Sequence, residues 1–357
     1  MTRHLDTVVV GDCAVTETPA AAPLVSIAIP TVNRLGYLKE AVGAALAQTY
    51  SSIEVLIGDE CVSHPTGAWA QQAAEEDTRI RYRQNPRRLG LAGNWNALAD
   101  AARGEFIVII GDDDRLLPTF VETLMYARTA TSAVVFANHY LIDAWGNRLM
   151  AESLEHTRRY HRHRLPRGVL EDPRACVWRN SIPMSAALVR TDAVRRRRFN
   201  ERLNTPEIEF FVRLVEDGAE FVFVPDYVAE YRVHGQSATA AGLRSEDLAQ
   251  SLLAIPVSAD VEPYKRTFMS ALLVGAVGRC LEKGDTRHAN MLRASPYYMC
   301  NEGRGLVTWT RRMMHKLCGA LSPRLSITLY GTSVTAWRSC RSLAQRVRSR
   351  AKVRARP

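Results

Sequence analysis

Short runs of consecutive apolar, largely β-branched residues alternate along the first part of this chain with stretches whose apolar positions recur three and four apart. Residues 25–29, 53–57, 80–83, 106–110 and 133–137 read as strands, the first and fourth buried on both faces. Residues 37–48, with Leu38, Val42, Ala45 and Leu46 at helical spacing, read as a helix, as do 67–77, 94–102 and 118–128. Gly104 is expected to terminate the third of these. Strands alternating with helices in this way predict a parallel α/β sheet. Further on, residues 141–150 read as a hairpin turning at 143–147, 185–189 as a strand, and 205–214 as a short helix with an acidic start. Residues 221–225 and 227–231 read as two strands, 232–237 as a polar loop, and the chain from 245 onward as helical. The expected division is a leader over 1–23, a domain over 24–240 with halves 24–138 and 139–240, a helical region over 241–337 and a basic tail over 338–357.

The run 106–110 leads into Gly111 and three consecutive carboxylates, Asp112, Asp113 and Asp114. Side chains alternate along extended chain, so at least one of the three points into the end of the sheet. Adjacent negative charges there are costly to desolvate without a cation. Oxygen-rich clusters of this kind suit Mg²⁺ or Mn²⁺, and ligands of open α/β sheets sit outside the carboxyl ends of the strands. The plainer alternative is an acidic turn capping the next helix. A second strand end carries Asp59 and Glu60, acids suited to a nucleobase edge or ribose hydroxyls. Neither a dinucleotide-binding glycine fingerprint nor a P-loop follows any strand, so a nucleotide would be held by acids and metal.

Composition narrows the class. The 357 residues are 46% hydrophobic, with seven scattered cysteines and no Cys-x-x-Cys pair, which argues against a disulfide framework or zinc site and for a reducing compartment. No signal-like start or membrane-spanning apolar run is present, so a cytoplasmic protein is expected. Of the net charge of +10, eight positive charges fall within 338–356, which carries no acid, leaving +2 for the remainder. That tail suits either solvation or peripheral contact with anionic lipid at the inner face of a membrane. The basic run 195–198 reads as a solvated helix end, with use by a diphosphate-bearing acceptor as the alternative, and no specific nucleic-acid site is expected.

Taken together, 25–34 (VSIAIPTVNR), 47–50 (AQTY), 53–55 (IEV) with Asp59 and Glu60, Asn85, 89–96 (LGLAGNWN), 102–105 (ARGE) and 111–114 (GDDD) resemble a family-2 glycosyltransferase of the GT-A fold. Pro206-Glu207 with Arg213, and 231–234 (YRVH), are similar to that family's acceptor-side motifs. The resemblance implies a three-layer α/β/α sandwich with a mostly parallel sheet and a C-terminal helical extension. It implies inverting transfer from a nucleotide-diphosphate sugar, here a UDP-sugar, to a hydroxyl on a glycan, a lipid-linked acceptor or a small molecule, with Mn²⁺ or Mg²⁺ as cofactor.

The resemblance also assigns residues. Pro30, Thr31, Asn33, Arg34, Asp59, Glu60, Arg88, Gly90, Asn94, Asp112 and Asp113 would meet the nucleotide-sugar. Asp113 and Asp114, with His234, would hold the metal, unless His234 is an ordinary loop histidine. Relatives place an Asp six residues before an Arg on the acceptor helix; counting back from Arg213 gives Glu207 as the base, with Glu209 in reserve. The two point about 200° apart on a helix, and both also suit a helix N-terminus as plain first-turn acids. Val32 stands where the family often has Tyr, and Glu60 and Glu207 each replace an Asp. Residues 152–180, rich in Arg and His, including Arg162 and Arg164, suit an anionic acceptor. The competing readings are a nucleotidyltransferase, which lacks its basic glycine-rich loop here, and a non-catalytic basic binding protein on a degenerate transferase scaffold.

Overall fold

A computed structural model of the chain describes residues 22–60, 65–235, 245–299 and 306–332. The strands β1 (Val25–Thr31), β2 (Ile53–Asp59), β3 (Ile80–Gln84) and β4 (Phe106–Ile109) alternate with the helices α1 (Leu35–Leu46), α2 (Pro65–Glu76) and α3 (Gly90–Ala101). They pair in parallel in the order β3-β2-β1-β4, as their two-sided apolar runs predict. Alternation sends Ile27, Ile29 and Val108 into the layer of α1 and α2, and Ala28, Ile107 and Ile109 into the layer of α3.

Beyond β4 the sheet continues through β8 (Ala187–Arg190), β6 (Ser132–Ile142), β9 (Glu220–Arg232) and the short β5 (Arg115–Leu116), with β7 (Gly168–Val169) also on β9. β8 runs antiparallel to both β4 and β6, while β6 and β9 form a long parallel pair, so most of the paired length of the sheet is parallel. Helices α4 (Phe120–Ala127), α5 (Met150–Arg159), α6 (Arg174–Trp178), α7 (Thr191–Arg197) and α8 (Pro206–Glu216) fill the connections. The helices α9 (Ser245–Leu253), α10 (Glu262–Glu282), α11 (Thr286–Arg293) and α12 (Leu306–Ala320) share one apolar core with α6, α8 and a face of the sheet. Among the described residues no helix is long and apolar enough to cross a membrane. Cys176, Cys280 and Cys318 are buried free thiols. The expected leader and basic tail lie outside the described residues, apart from Ala22 and Pro23.

Four expectations need correcting. Residues 221–225 and 227–231 form one strand: Pro225 donates no hydrogen bond, and the break is absorbed where the β6 register shifts on either side of Asn138, whose Nδ2 donates to Pro225 O (2.8 Å). The hairpin at 141–150 shrinks to a turn, with Asp143 N–H donating to Asn147 O and a single bridge between Ile142 and Arg148, because α5 begins at once. Helix α3 starts at Gly90, four residues early. Gly104 does not cap it: the helix closes at Ala102, whose N–H donates to Leu98 O.

Gly104 serves close approach instead. Its N–H donates to the buried Ser26 Oγ (2.9 Å), Ser26 donates to Glu54 Oε1 (2.6 Å), and Glu54 also accepts from Arg103 N–H and Arg81. Burial opposes the charge on Glu54, but these donors outweigh it and hold the carboxyl below its usual range. A Cβ on Gly104 would stand 2.6 Å from Ser26 N, 2.7 Å from Leu24 O and 2.8 Å from Phe106 O, all backbone. Gly104→Ala is therefore expected to cost about 1–3 kcal/mol of stability, read by urea unfolding; an unchanged midpoint would contradict the packing described.

Candidate active site

The carboxyl ends of β1 and β4, the start of α8, the end of β9 and the wall made by β6 and α5 enclose a cavity of about 590 Å³. Asp112, Asp113 and Asp114 stand at its mouth on the turn after β4, which closes through Asp114 N–H to Gly111 O (3.2 Å). Thr31 Oγ1 donates to Asp112 Oδ2 (2.7 Å), and Arg34 Nη1 bridges Asp112 Oδ1 (3.2 Å) and Asp113 Oδ2 (2.9 Å). His234 Nε2 lies 2.8 Å from Asp113 Oδ2. Asp114 is buried, and its Oδ1 accepts from Arg232 N–H (2.8 Å). Arg232 also donates to Asp113 O, Ala144 O and Glu40 and lies over the Tyr37 ring, so β9 and α1 are tied to the acidic turn.

These acids carry more negative charge than their surroundings balance. Burial pushes the Asp112 carboxyl up to about 6, with the Asp113 charge adding to it and Thr31 and Arg34 opposing. Burial, then the Asp113 charge, also pushes Asp114 well above the usual carboxylate range, against the Arg232 N–H. Asp113 Oδ1 and Asp114 Oδ2 both fold over Gly111, where a Cβ would lie 2.7 Å and 3.3 Å from them. Carboxylates in excess of cations, beside an imidazole, are donors that fit a divalent ion. Among the described residues, however, no three acidic, His or Cys side chains are already spaced around one point.

Glu207 stands in the first turn of α8 after Pro206 and lines the same cavity. Burial pushes its carboxyl up to about 7, opposed only by its own backbone N–H. Glu209 turns away, as their helical offset requires. It is buried, ion-paired to Arg213 (2.9 Å), and accepts from Ser251 Oγ (3.0 Å), so it links α8 to α9 and does not line the cavity. The reserve position for a base is thereby corrected.

The nucleotide-side residues divide. Pro30, Thr31, Val32, Arg34, Glu60 and Asn94 line the cavity beside Asp112 and Asp113. Glu60 Oε1 accepts from Leu89 N–H (2.8 Å) at the start of α3, and Asn94 is engaged by Gly58 O and Asn85. Asn33, Arg88 and Gly90 are exposed and outside the lining, contrary to expectation: Asn33 and Gly90 take φ values of 55° and 76° where the chain turns into α1 and α3. Asp59 is buried beside the Tyr82 hydroxyl (3.2 Å), also off the lining. The run 195–198 is the end of α7, where Arg196 pairs with Asp192 within the helix, Arg197 with Asp217 at the end of α8 and Arg198 with Asp100 on α3.

Sequence reasoning missed His139 altogether and assigned no site role to Trp95, His156, Tyr160, Asn180 and Tyr231, which lie in stretches it singled out; all six line the cavity. The Arg- and His-rich composition of 152–180 was the available signal. Arg162 from that stretch is buried in the wall, whereas Arg164 is exposed and outside it.

Residues 26–182 match the family model described as "Glycosyl transferase family 2". Over 126 residues the chain is 35% identical to the Campylobacter jejuni GalNAc(5)-diNAcBac-PP-undecaprenol beta-1,3-glucosyltransferase, covering 35% of this chain and 40% of the relative. It is 31% identical over 121 residues to the Streptococcus pneumoniae glycosyltransferase GlyG, covering 34% and 40%. The chain thus spans about two-fifths of the length of these relatives. Among solved structures, the mannosyltransferase PcManGT of Pyrobaculum calidifontis, in complex with GDP-Man and Mn²⁺, superposes with a TM-score of 0.55 at 15% identity, covering 88% of this chain and 85% of that one. S. aureus TarS 1-349 in complex with UDP-GlcNAc gives 0.54 at 13%, covering 88% and 92%. The fold is that of the GT-A glycosyltransferases.

Proposed function

From the match of residues 26–182 to glycosyltransferase family 2 we propose that the chain transfers a sugar from a nucleotide-diphosphate donor to an acceptor hydroxyl, with inversion at the anomeric carbon. The observation that carries this reading is one cavity lined in two separate places by acids: the turn Asp112–Asp114, tied to Thr31, Arg34 and His234, and, on α8, Glu207, whose carboxyl burial pushes up to about 7. A carboxyl held partly protonated near neutral pH, apart from the residues that would hold the donor, suits a general base. Glu207 takes the proton from the attacking hydroxyl as the oxygen bonds to the anomeric carbon and the diphosphate leaves. Thr31 and Arg34 fix Asp112 toward the ribose side, and Arg34 offers its guanidinium to the diphosphate. Asp113, Asp114 and His234 are the residues that would hold Mn²⁺ or Mg²⁺. A bound divalent cation supplies Lewis-acid stabilisation of the leaving diphosphate. Glu60 and Val32, at the nucleobase end of the lining, are the positions that would distinguish a UDP-sugar from other donors.

Isothermal titration of the purified chain with UDP, GDP, ADP, CDP and dTDP, with Mn²⁺ and with chelator, tests this. One nucleotide is expected to bind only with Mn²⁺, and Asp113→Ala to abolish that binding. A folded protein that binds none of the five would leave a non-catalytic scaffold as the better reading.

A further inference from the structure

The cavity wall built from β6, α5 and the turn after it carries donors and no acids. Arg162 is 2% exposed. Its Nε donates to Asn138 Oδ1 (2.9 Å), its Nη1 to Ser181 O (3.2 Å) and its Nη2 to His156 Nδ1 (3.1 Å), all neutral acceptors. Among the described residues no carboxylate lies within ion-pair distance of it. Burial pushes Arg162 down to about 10, so the guanidinium is charged at neutral pH and unbalanced. The three bonds use three of its five N–H groups and leave one on each terminal nitrogen.

The two histidines complete the wall. Arginine only donates, so His156 Nδ1 accepts and its proton sits on Nε2. His139 is likewise 2% exposed, lines the cavity, and has no hydrogen-bond partner at either ring nitrogen. It lies 5.0 Å from the His156 ring and 5.7 Å from the Tyr231 ring. The register shift at Asn138 delivers this arrangement: residues 138 and 139 are adjacent, yet one holds Arg162 and the other faces the cavity.

Resting on the transferase reading above, we infer that Arg162, with His139 and His156, binds an anionic substituent, a carboxylate or phosphate, on the sugar transferred or on the acceptor. Two N–H groups on a planar guanidinium present the fork that matches such groups. The two other arginines of the lining, Arg34 and Arg232, are each paired with acids, so among the described lining residues Arg162 is the arginine with no carboxylate partner.

Titration calorimetry with matched probes separates the two sources. For the donor, UDP-glucose is compared with UDP-glucuronate and GDP-mannose with GDP-mannuronate. For the acceptor, methyl glucoside is compared with methyl glucuronoside and with glucose 6-phosphate, in Mn²⁺ and the nucleotide that binds. The acidic member of one set is expected to bind about tenfold or more tightly. That gain is expected to vanish in Arg162→Met, to return in part in Arg162→Lys, and to fall in His139→Phe, which keeps the wall apolar and filled should the arginine variants fail to fold. Bare nucleotide affinity is expected to be the same in all folded variants. Equal binding of acidic and neutral probes, with the bare nucleotide still binding, would overturn the anion site and leave the transferase reading standing. No nucleotide binding at all would remove both.

Discussion

Glu207→Gln is expected to lower turnover by about 10²–10⁴-fold while leaving donor affinity intact. The amide fills the same volume in the first turn of α8 but cannot accept the acceptor hydroxyl's proton. The helix N-terminus favours negative charge at this position, yet burial prevails and pushes the carboxyl up to about 7. Turnover of the unsubstituted chain should therefore rise with pH through about 7 and level above it. In the Gln variant that limb should be missing from the residual rate. The same shift has a sign in stability. Its folded value of about 7 lies above the ordinary 4.5, so in that window the folded chain holds the proton more tightly than the unfolded one. Stability contributed by the protonated form is present below the ordinary value and declines as pH rises through the folded one. Glu207→Gln should abolish that part of the slope in urea unfolding. Stopped-time product assays across the acid limb are the decisive measurement: an unchanged profile in Glu207→Gln would assign the base elsewhere.

Phe210→Ala should cost about 3–5 kcal/mol of stability, the range for a buried aromatic truncated in a core that cannot collapse around the gap. Phe210 lies within a run of ring contacts: Trp95 to Phe199 at 5.0 Å, Phe199 to Phe210 at 4.5 Å, Phe210 to Phe211 at 5.5 Å and Phe211 to Phe221 at 6.3 Å. The run joins α3, α8 and β9, and its first member lines the cavity. Truncation should therefore loosen the seat of Glu207 as well as the core, lowering turnover more than donor binding. A urea midpoint lowered at constant slope would report the stability loss, with Phe210→Leu expected to recover most of it. A loss under 1 kcal/mol, on the order of a surface change, would mean that the rings are not the support described.

What the sequence made legible follows the physics of each signal. β1, β2 and β4 are buried on both faces, so their apolar runs are local statements of a parallel sheet, and the acids after β4 could be placed from the chain alone. The separation of Glu207 from Glu209 was also local, since helical geometry alone sends the two apart. The start of α3 was obscured because Gly90 and Gly93 read as loop, although Gly93 is needed where a Cβ would stand 2.9 Å from Leu89 Cβ. β9 read as two strands because Pro225 interrupts its pattern, and the compensating shift lies on β6, many residues away. His139 escaped for a similar reason, and Arg162, named only together with Arg164, could not be told apart from it. Nothing in the neighbouring sequence says that an arginine will be buried among neutral acceptors, because those acceptors come from Asn138, His156 and Ser181 together.

The tie between the acidic turn and the end of β9 also bears on how the chain folds. Asp114 meets Arg232 across 118 positions and Asp113 meets His234 across 121, whereas β1 pairs with β2 across 28 positions and with β4 across 81. Closing so large a loop is entropically unfavourable until the intervening strands are in place. The parallel half of the sheet can therefore form, with Thr31 and Arg34 already beside Asp112 and Asp113, while the partners from the end of β9 are still missing, and the cluster takes its final shape only when β9 docks on β6. During refolding, nucleotide binding should recover with the slowest phase, after most of the secondary structure has returned.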